Sequence, residues 1–494
     1  MAEPVLPDSV VAARLWRWPR ALAPLVVLLE LALALRVLAA GAIEWYVRRG
    51  GTGRLCLFPD TNIYWELARA IRAKAPYQIV EWGDIPHFAL RTPGYPIMLA
   101  GCQALFGERT LAVRLVQAVL GTVSVYVVYQ LCRQLAPSGE EVPPAEPVVV
   151  PEVADGSRAA TIVRRLANLS GGSAPLVAAA LAALNPYYIL MSTILLSEAV
   201  FEPLMLAALW GLAVLWPRRE SAKAGGSSLR EGRAESAITG LRAAFASLGG
   251  GAAAGMAVLV RPSWVLFLPG ALAVWVFAAV WARRGSHAAR GAALWLCGVV
   301  LVMGPWWARN AQVYGRFVPT ALWLGASLYD GLSPTATGAS DMSFRGDPDV
   351  WPLDEQDQDV ELLRRAARFA RENPARVLAL AIVKLGRFWS PWPNAEGFGS
   401  PALAVAGAAV ELPLFGLLAL GAWNRRRDLR VWVLSAGPLL YFSALHLFFA
   451  SSMRYRIPGE MPALGLAAFG WLTLWTWWRT TRPGRRAAGR PRTA

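Results

Sequence analysis

Asp60 opens the segment Phe58-Pro59-Asp60-Thr61-Asn62-Ile63-Tyr64, directly after the first long apolar stretch. Two readings of it stand. Aspartate fills the N-cap of a helix well. A carboxylate kept ionised by a helix N-terminus, at the edge of a bilayer, is also suited to act as a general base. Arg91 stands in Arg91-Thr92-Pro93-Gly94-Tyr95-Pro96, where two prolines and a glycine set an irregular backbone. It is either a solvated loop arginine or a rigid fork for phosphate oxygens. Glu198, in Leu195-Leu196-Ser197-Glu198, follows the helix break at Asn185-Pro186. A carboxylate that close to hydrocarbon needs a partner or a substrate. Arg261-Pro262, Arg309-Asn310 and Arg454-Tyr455-Arg456 stand where other apolar stretches end. One such arginine is an ordinary interfacial anchor. Several, with two acids, make a site for a phosphate group and a hydroxylated partner.

The elements that must position these residues are membrane spans. The 494 residues are 55% hydrophobic and 17% charged, below the quarter expected of a soluble protein. Mean hydropathy is +0.38. Apolar runs predict spans near 21–46, 109–132, 174–190, 194–216, 243–260, 263–282, 291–307, 401–423, 431–450 and 457–478, each near the length that crosses a bilayer core. The fold class expected is an all-α polytopic bundle of about ten transmembrane helices, with nine to twelve as the range. Arg14, Arg17 and Arg20, then an apolar run and Ala39-Ala40-Gly41-Ala42, imitate a signal peptide. The run is too long and carries Glu30 and Arg36, so it reads as an uncleaved first span. Both charges then need partners in the bundle or a route to the interface.

Tight basic clusters at Arg283-Arg284, Arg425 to Arg427 and the tail 479–494 fall on one side with both termini. That side is cytoplasmic by the positive-inside rule, and the acid-arginine face is extracytoplasmic. Residues 1–494 read as a single transmembrane domain. It has outer loops at 47–108 and 308–400 and cytoplasmic loops at 133–173 and 217–242. Within the cytoplasmic loops, 137–160 and 218–238 have no helical stripe and read as disordered. The Asn168-Leu169-Ser170 sequon lies on that inner side and is disregarded. Both outer loops carry amphipathic helices. Ile63, Leu67, Ala70 and Ile71 are helically spaced after Asp60, and Pro96 to Phe106 is a second apolar stretch. Leu362, Leu363, Ala366, Phe369 and Ala370 form one face of a helix ending near Pro374. Val377 to Trp389 reads as a helix lying in the interface, and Gly251-x-x-x-Gly255 as close helix packing.

The net charge of +16 raises nucleic acid as a partner, but its arginines fit short cytoplasmic loops and tails, so none is expected. No Cys-x-x-Cys or His-x-x-x-His spacing occurs, so neither metal nor cofactor is expected. His87 and His446 are the histidines that would face a cation on the outer side. His87 and Asp84 can also shape a polar pocket near Arg91. Cys132 and Cys297 read as packing residues, while Cys56 and Cys102 share an outer loop with their pairing open.

In order and on one side, these motifs resemble the GT-C membrane glycosyltransferases. The closest branch holds the dolichyl-phosphate-mannose protein mannosyltransferases and the bacterial aminoarabinose transferase of lipid A. The likeness rests on Asp60-x-x-x-Tyr64, Arg91-Thr92-Pro93-Gly94-Tyr95-Pro96, Asn185-Pro186 with Leu196-Ser197-Glu198, and Arg261-Pro262. It continues in Pro305-Trp306-Trp307-Ala308-Arg309-Asn310 and Arg454-Tyr455-Arg456-Ile457-Pro458. It implies a GT-C-type bundle and transfer of a sugar from a polyprenyl-phosphate donor to a glycan, lipid or protein acceptor. The reaction would take place outside the inner membrane. It implies Asp60 as catalytic base and Arg91, Arg454 and Arg456 as holders of the lipid phosphate. Tyr64, Tyr95, Glu198, Arg261 and Arg309 would line the substrate pocket. The chain departs from the eukaryotic protein mannosyltransferases at Asp60-Thr61, where they carry Asp-Glu, and it lacks their inserted soluble domain. The bacterial branch therefore fits better. Two rivals remain in view: a lipid-linked glycan transporter or flippase, and a transferase using diphosphate-linked donors.

Overall fold

All ten expected spans fall on helices in the computed structural model. It describes residues 23–50, 58, 60–81, 85–137, 173–216, 229–283, 285–394 and 400–481. The helices are α1 (Ala23–Arg49), α2 (Asp60–Arg72), α3 (Gly94–Phe106), α4 (Thr110–Leu135), α5 (Ala174–Leu184), α6 (Pro186–Met191), α7 (Glu198–Leu215) and α8 (Leu229–Val260). They continue with α9 (Phe267–Trp281), α10 (Gly285–Tyr314), α11 (Leu324–Gly331), α12 (Glu355–Glu372), α13 (Pro374–Phe388), α14 (Pro401–Asn424), α15 (Leu429–Leu445) and α16 (Met453–Thr481). The strands β1 (Ile79–Glu81) and β2 (Ile85–His87) pair antiparallel between α2 and α3. Among the described residues, seven helical stretches are long and apolar enough to cross a membrane, and the chain is an integral membrane protein. The other three expected spans differ for local reasons. Asn185-Pro186 splits one into α5 and α6, and α15 carries a π turn at Trp432–Ala436. The third, α16, is 29 residues long but charged at its start by Arg454, Arg456 and Glu460.

The stretches 138–160 and 218–228, the sequon, Cys56, Asp84 and the arginines before residue 21 and after residue 481 lie outside the described residues. The rest of the second stretch read as disordered, 229–238, is helical instead and forms the start of α8.

The helices of the two long loops, 47–108 and 308–400, form where the apolar spacing puts them. In α2, Ile63, Leu67 and Ala68 are buried, and in α12 so are Leu362 and Ala366. Helix α13 covers the stretch read as interfacial and leaves Leu378, Ile382 and Val383 exposed.

The proline break has a defined repair. Pro186 has no N–H, so Ala182 O loses its helical donor. The next amide, Tyr187 N, donates instead to Asn185 Oδ1 at 2.8 Å, leaving Ala183 O open as well. Arg36 of α1, fully buried, supplies both, donating to Ala182 O at 3.1 Å and Ala183 O at 3.4 Å. This answers the question posed by a charge in the first span. Glu30 lies on the exposed face of α1.

Helices α8 and α10 touch backbone to backbone through the expected glycine pair. A Cβ at Gly251 would stand 1.9 Å from Trp295 O, and one at Gly255 would stand 3.2 Å from Val299 O. Gly251→Ala therefore must push the two helices apart. Overpacking of this kind costs about 1–3 kcal/mol. The expected outcome is a lower thermal unfolding midpoint in detergent, and an unchanged midpoint would contradict the close approach.

Candidate active site

Arg114 of α4 starts the construction of the site. Buried, it donates Nε to the Glu44 carboxylate at 3.2 Å and Nη1 to Thr193 O at 2.8 Å. Gln117, one turn on, donates to Leu196 O at 3.2 Å and to the Tyr95 hydroxyl at 3.1 Å. Thr61 of α2 donates to Leu195 O at 2.7 Å. These bonds take the carbonyls of Thr193, Leu195 and Leu196 in the non-helical segment from Ser192 to Ser197, and so fix both the start of α7 and the start of α2.

Glu198 at the first position of α7 is fully buried and accepts from Arg454 Nε at 2.6 Å and Arg261 Nη1 at 2.9 Å. Of the two readings left open for it, pairing with arginines is the one found. Asp60, on α2, has a side chain 41% exposed. Its carboxylate stands 3.3 Å from Arg91 and 3.9 Å from Arg454. Among the described residues its partners are thus arginines rather than the amides of its own helix. Aromatic rings wall the cluster. Tyr64 and Tyr95 meet edge to face at 5.0 Å. Phe58 and Tyr455 lie 5.0 Å and 5.7 Å from the Arg454 guanidinium, and Tyr455 lies 5.4 Å from that of Arg261. Burial raises the Tyr64 hydroxyl above its ordinary pKa, so it stays a neutral hydrogen-bonding group.

Seven of the nine expected residues are thereby gathered: Asp60, Tyr64, Arg91, Tyr95, Glu198, Arg261 and Arg454. Arg456 is not among them. In a helix, residues two apart point about 200° apart, so with Arg454 on the site Arg456 turns into the bundle. There it is fully buried, bonded to Glu411 at 2.8 Å, Ser390 O at 2.7 Å and Phe388 O at 3.1 Å, with Glu460 at 3.4 Å. Those partners occupy it as an anchor of α13, α14 and α16, not as a phosphate holder beside Asp60. The helical phase was readable from the motif itself.

Arg309 is also set apart. It donates to Phe88 O at 2.8 Å and Tyr77 O at 2.9 Å, with Trp306 and Tyr77 around it. Glu355, at the start of α12, takes the matching amides: Phe88 N at 2.7 Å and Ala89 N at 3.0 Å, and Tyr314 donates to it as well. Tyr77 donates its hydroxyl to Arg91 O at 3.1 Å and Leu322 N donates to Ala89 O at 2.9 Å. Arg309 and Glu355 therefore hold the turn that carries Arg91. Burial raises the Glu355 pKa, opposed by these donors. His87 is buried in the same hairpin, with Nε2 2.6 Å from Glu81 O, and burial lowers its pKa to about 4. His446 instead stacks on Tyr455 at 4.5 Å.

Three residues near Asp60 were missed: Trp323, Arg345 and Glu81. Trp323 lies under the Arg91 guanidinium at 4.3 Å, and Arg345 and Glu81 interact electrostatically with Asp60 and Arg91. They come from the 308–400 loop and the hairpin, where no periodicity marks a residue for a site.

No protein-family model matches this sequence, and no curated protein does. Solved structures share its fold. Oligosaccharyltransferase AglB of Archaeoglobus fulgidus, in complex with an inhibitory peptide and a dolichol-phosphate, is 14% identical at a TM-score of 0.53, over 96% of this chain and 52% of its own. Its apo form matches at 0.53 and 14% identity, over 97% and 53%. ArnT of Cupriavidus metallidurans bound to undecaprenyl phosphate is a looser match at 0.36 and 14% identity, over 92% and 78%. The chain spans about half the length of AglB. Its architecture is the expected one, an all-α polytopic membrane fold of the GT-C type.

Two outcomes follow from the geometry. Arg456→Met leaves Glu411 and Glu460 without their cation, and breaking a buried pair costs about 3–5 kcal/mol. A large drop in the unfolding midpoint is expected, and parental stability would refute the anchor role. Glu355→Ala frees the Phe88 and Ala89 amides. Faster deuterium uptake is expected in peptides covering 85–95, with uptake in α4 unchanged. Equal uptake in parent and variant would remove Glu355 as the holder of the Arg91 turn.

Proposed function

We propose that this chain is a membrane glycosyltransferase that moves a sugar from a polyprenyl-phosphate donor to an acceptor at the extracytoplasmic face, with inversion. The observation that carries the reading is the half-open Asp60 carboxylate between Arg91 and Arg454, at the head of the first-loop helix of a GT-C fold. AglB has been solved with a dolichol-phosphate, and ArnT with undecaprenyl phosphate. A polyprenyl phosphate is the lipid proposed here. Both termini would lie in the cytoplasm, and the membrane would be the inner one.

In this mechanism Asp60 accepts the proton of an acceptor hydroxyl or amine as that atom bonds to the anomeric carbon. The bond from the anomeric carbon to the donor phosphate oxygen breaks, and its electron pair leaves with the polyprenyl phosphate. Arg91 stabilises the charge that grows there, and Arg454, held by Glu198, supplies a second cation beside Asp60. The site's charges suit this. Among the gathered groups Asp60 and Glu198 face Arg91, Arg261 and Arg454, an excess of positive charge that favours an anion. Glu198 is buried, which supports Asp60 over Glu198 as the base.

The likeness to an oligosaccharyltransferase supports a second reading, transfer of a whole glycan, for which the diphosphate-linked donors named as a rival above are the alternative donor class. A panel of monophosphate and diphosphate donors with cell-envelope acceptors separates the two. Asp60→Asn is expected to lose about 10²–10⁴ in turnover, the range of a positioned general base, while keeping its unfolding midpoint. Full turnover in that variant would end the base assignment. A folded parent that transfers sugar from no donor would shift the function to lipid transport.

A further inference from the structure

Arg456, the anchor inside the bundle, is shared by two acids. Its Nη2 donates to Glu411 Oε2 of α14 at 2.8 Å, and its Nε lies 3.4 Å from Glu460 Oε1, one turn further along α16. Those two nitrogens form one edge of the planar guanidinium, so both carboxyls meet the same side of the same fork. All three side chains are fully buried. The other edge is occupied, since Nη1 donates to the Phe388 and Ser390 carbonyls at the end of α13. The two acids are not equivalent. Glu411 accepts from Arg456 and also from Asn185 Nδ2 at 3.2 Å. Among the described residues, no N–H makes a hydrogen bond to either Glu460 oxygen. What Glu460 meets instead is the Glu411 carboxyl and the Tyr188 hydroxyl of α6. Tyr187 is the remaining titratable group turned toward the pair.

We propose that Glu411 and Glu460 hold one proton between them at neutral pH, a proton-binding site inside the bundle. Two carboxylates against one guanidinium leave a net negative charge, and burying an unmatched charge is costly. The guanidinium cannot change its own charge, so the balance must come from an acid. An ionised carboxyl only accepts hydrogen bonds, so contact between two carboxyls is a bond only when one of them carries a proton. Like charges that close do not both ionise. With the proton on Glu460, its O–H donates to Glu411 and its other oxygen accepts from Tyr188. The cluster is then neutral and paired throughout. The site is independent of glycosyl transfer, and it makes a proton part of the joint between α13, α14 and α16. In the unfolded chain both acids are ionised in neutral water. Folding therefore takes up one proton there, and the joint weakens as the pH rises.

The test uses the full chain in detergent at neutral pH. Infrared difference spectra are taken between the parent and each of two variants, Glu411→Gln and Glu460→Gln. A protonated carboxyl has a C=O stretch that a carboxylate lacks. Either variant leaves one acid against one guanidinium, so the acid that remains needs no proton. Both spectra are expected to lose one protonated-carboxyl band, and a band that survives in either folded variant overturns the proposal. Unfolding midpoints give a second readout. Only the parent must take up a proton, so each variant is expected to gain on the parent between about pH 5 and about pH 8. A gap between variant and parent that is equal at both ends of that range overturns the proposal as well. If one variant does not fold, the other carries both readouts.

Discussion

Glu198 is a carboxylate with no exposed surface, and two arginines from other parts of the chain converge on it. Removing an ion from water costs several kcal/mol unless the geometry of its partners is very good. Here the partners come from the end of α8 and the start of α16, so the ion cluster brings those two ends to the head of α7. Arg454 is then held close enough to Asp60 to influence it without closing it off. The open acid is placed by a closed one. A buried acid with its charge already matched is a poor proton acceptor for substrate but a good fixed point for everything around it.

The two long loops extend this arrangement rather than merely covering it. Arg309 holds carbonyls of the 77–88 stretch, and Glu355 holds the amides of Phe88 and Ala89. The turn of Arg91 is gripped from both polar sides of its backbone. The first long loop thereby takes its shape from the second, although more than two hundred residues separate the bonded groups. The hairpin and α12 behave as one part, with Trp323 at their seam.

Asp60, Glu198, Arg261 and Arg454 were legible because each is a charged residue at a helix end, where lipid makes charge conspicuous, and Arg91 because two prolines and a glycine mark the turn that carries it. Helix α2 was legible because Ile63 and Leu67 repeat with helical spacing. Arg456 was misplaced because its motif was read as loop. Once Met453 begins a helix, the angle between positions two apart sends one arginine to the site and the other to Glu411. Arg345 and Trp323 lie in a loop without a periodic pattern. Their meeting with Arg91 depends on how two distant segments fold together, which spacing along the chain does not encode. The partner of Arg36 was hidden for the same reason, since a missing amide at Pro186 leaves no mark on α1.

That repair has a consequence for biogenesis. Arg36 enters the membrane with the first helix, and the carbonyl it serves lies 146 residues later in the chain. During synthesis α1 must wait, with a cation near hydrocarbon, until α5 and the break after it have been made. An arginine at the centre of a lone helix is disfavoured by about 2.5–3.5 kcal/mol on insertion scales. The first helix is therefore metastable on its own and becomes settled only when its later neighbour arrives. The chain assembles by deferred pairing: its earliest span is completed by one that the ribosome has yet to produce.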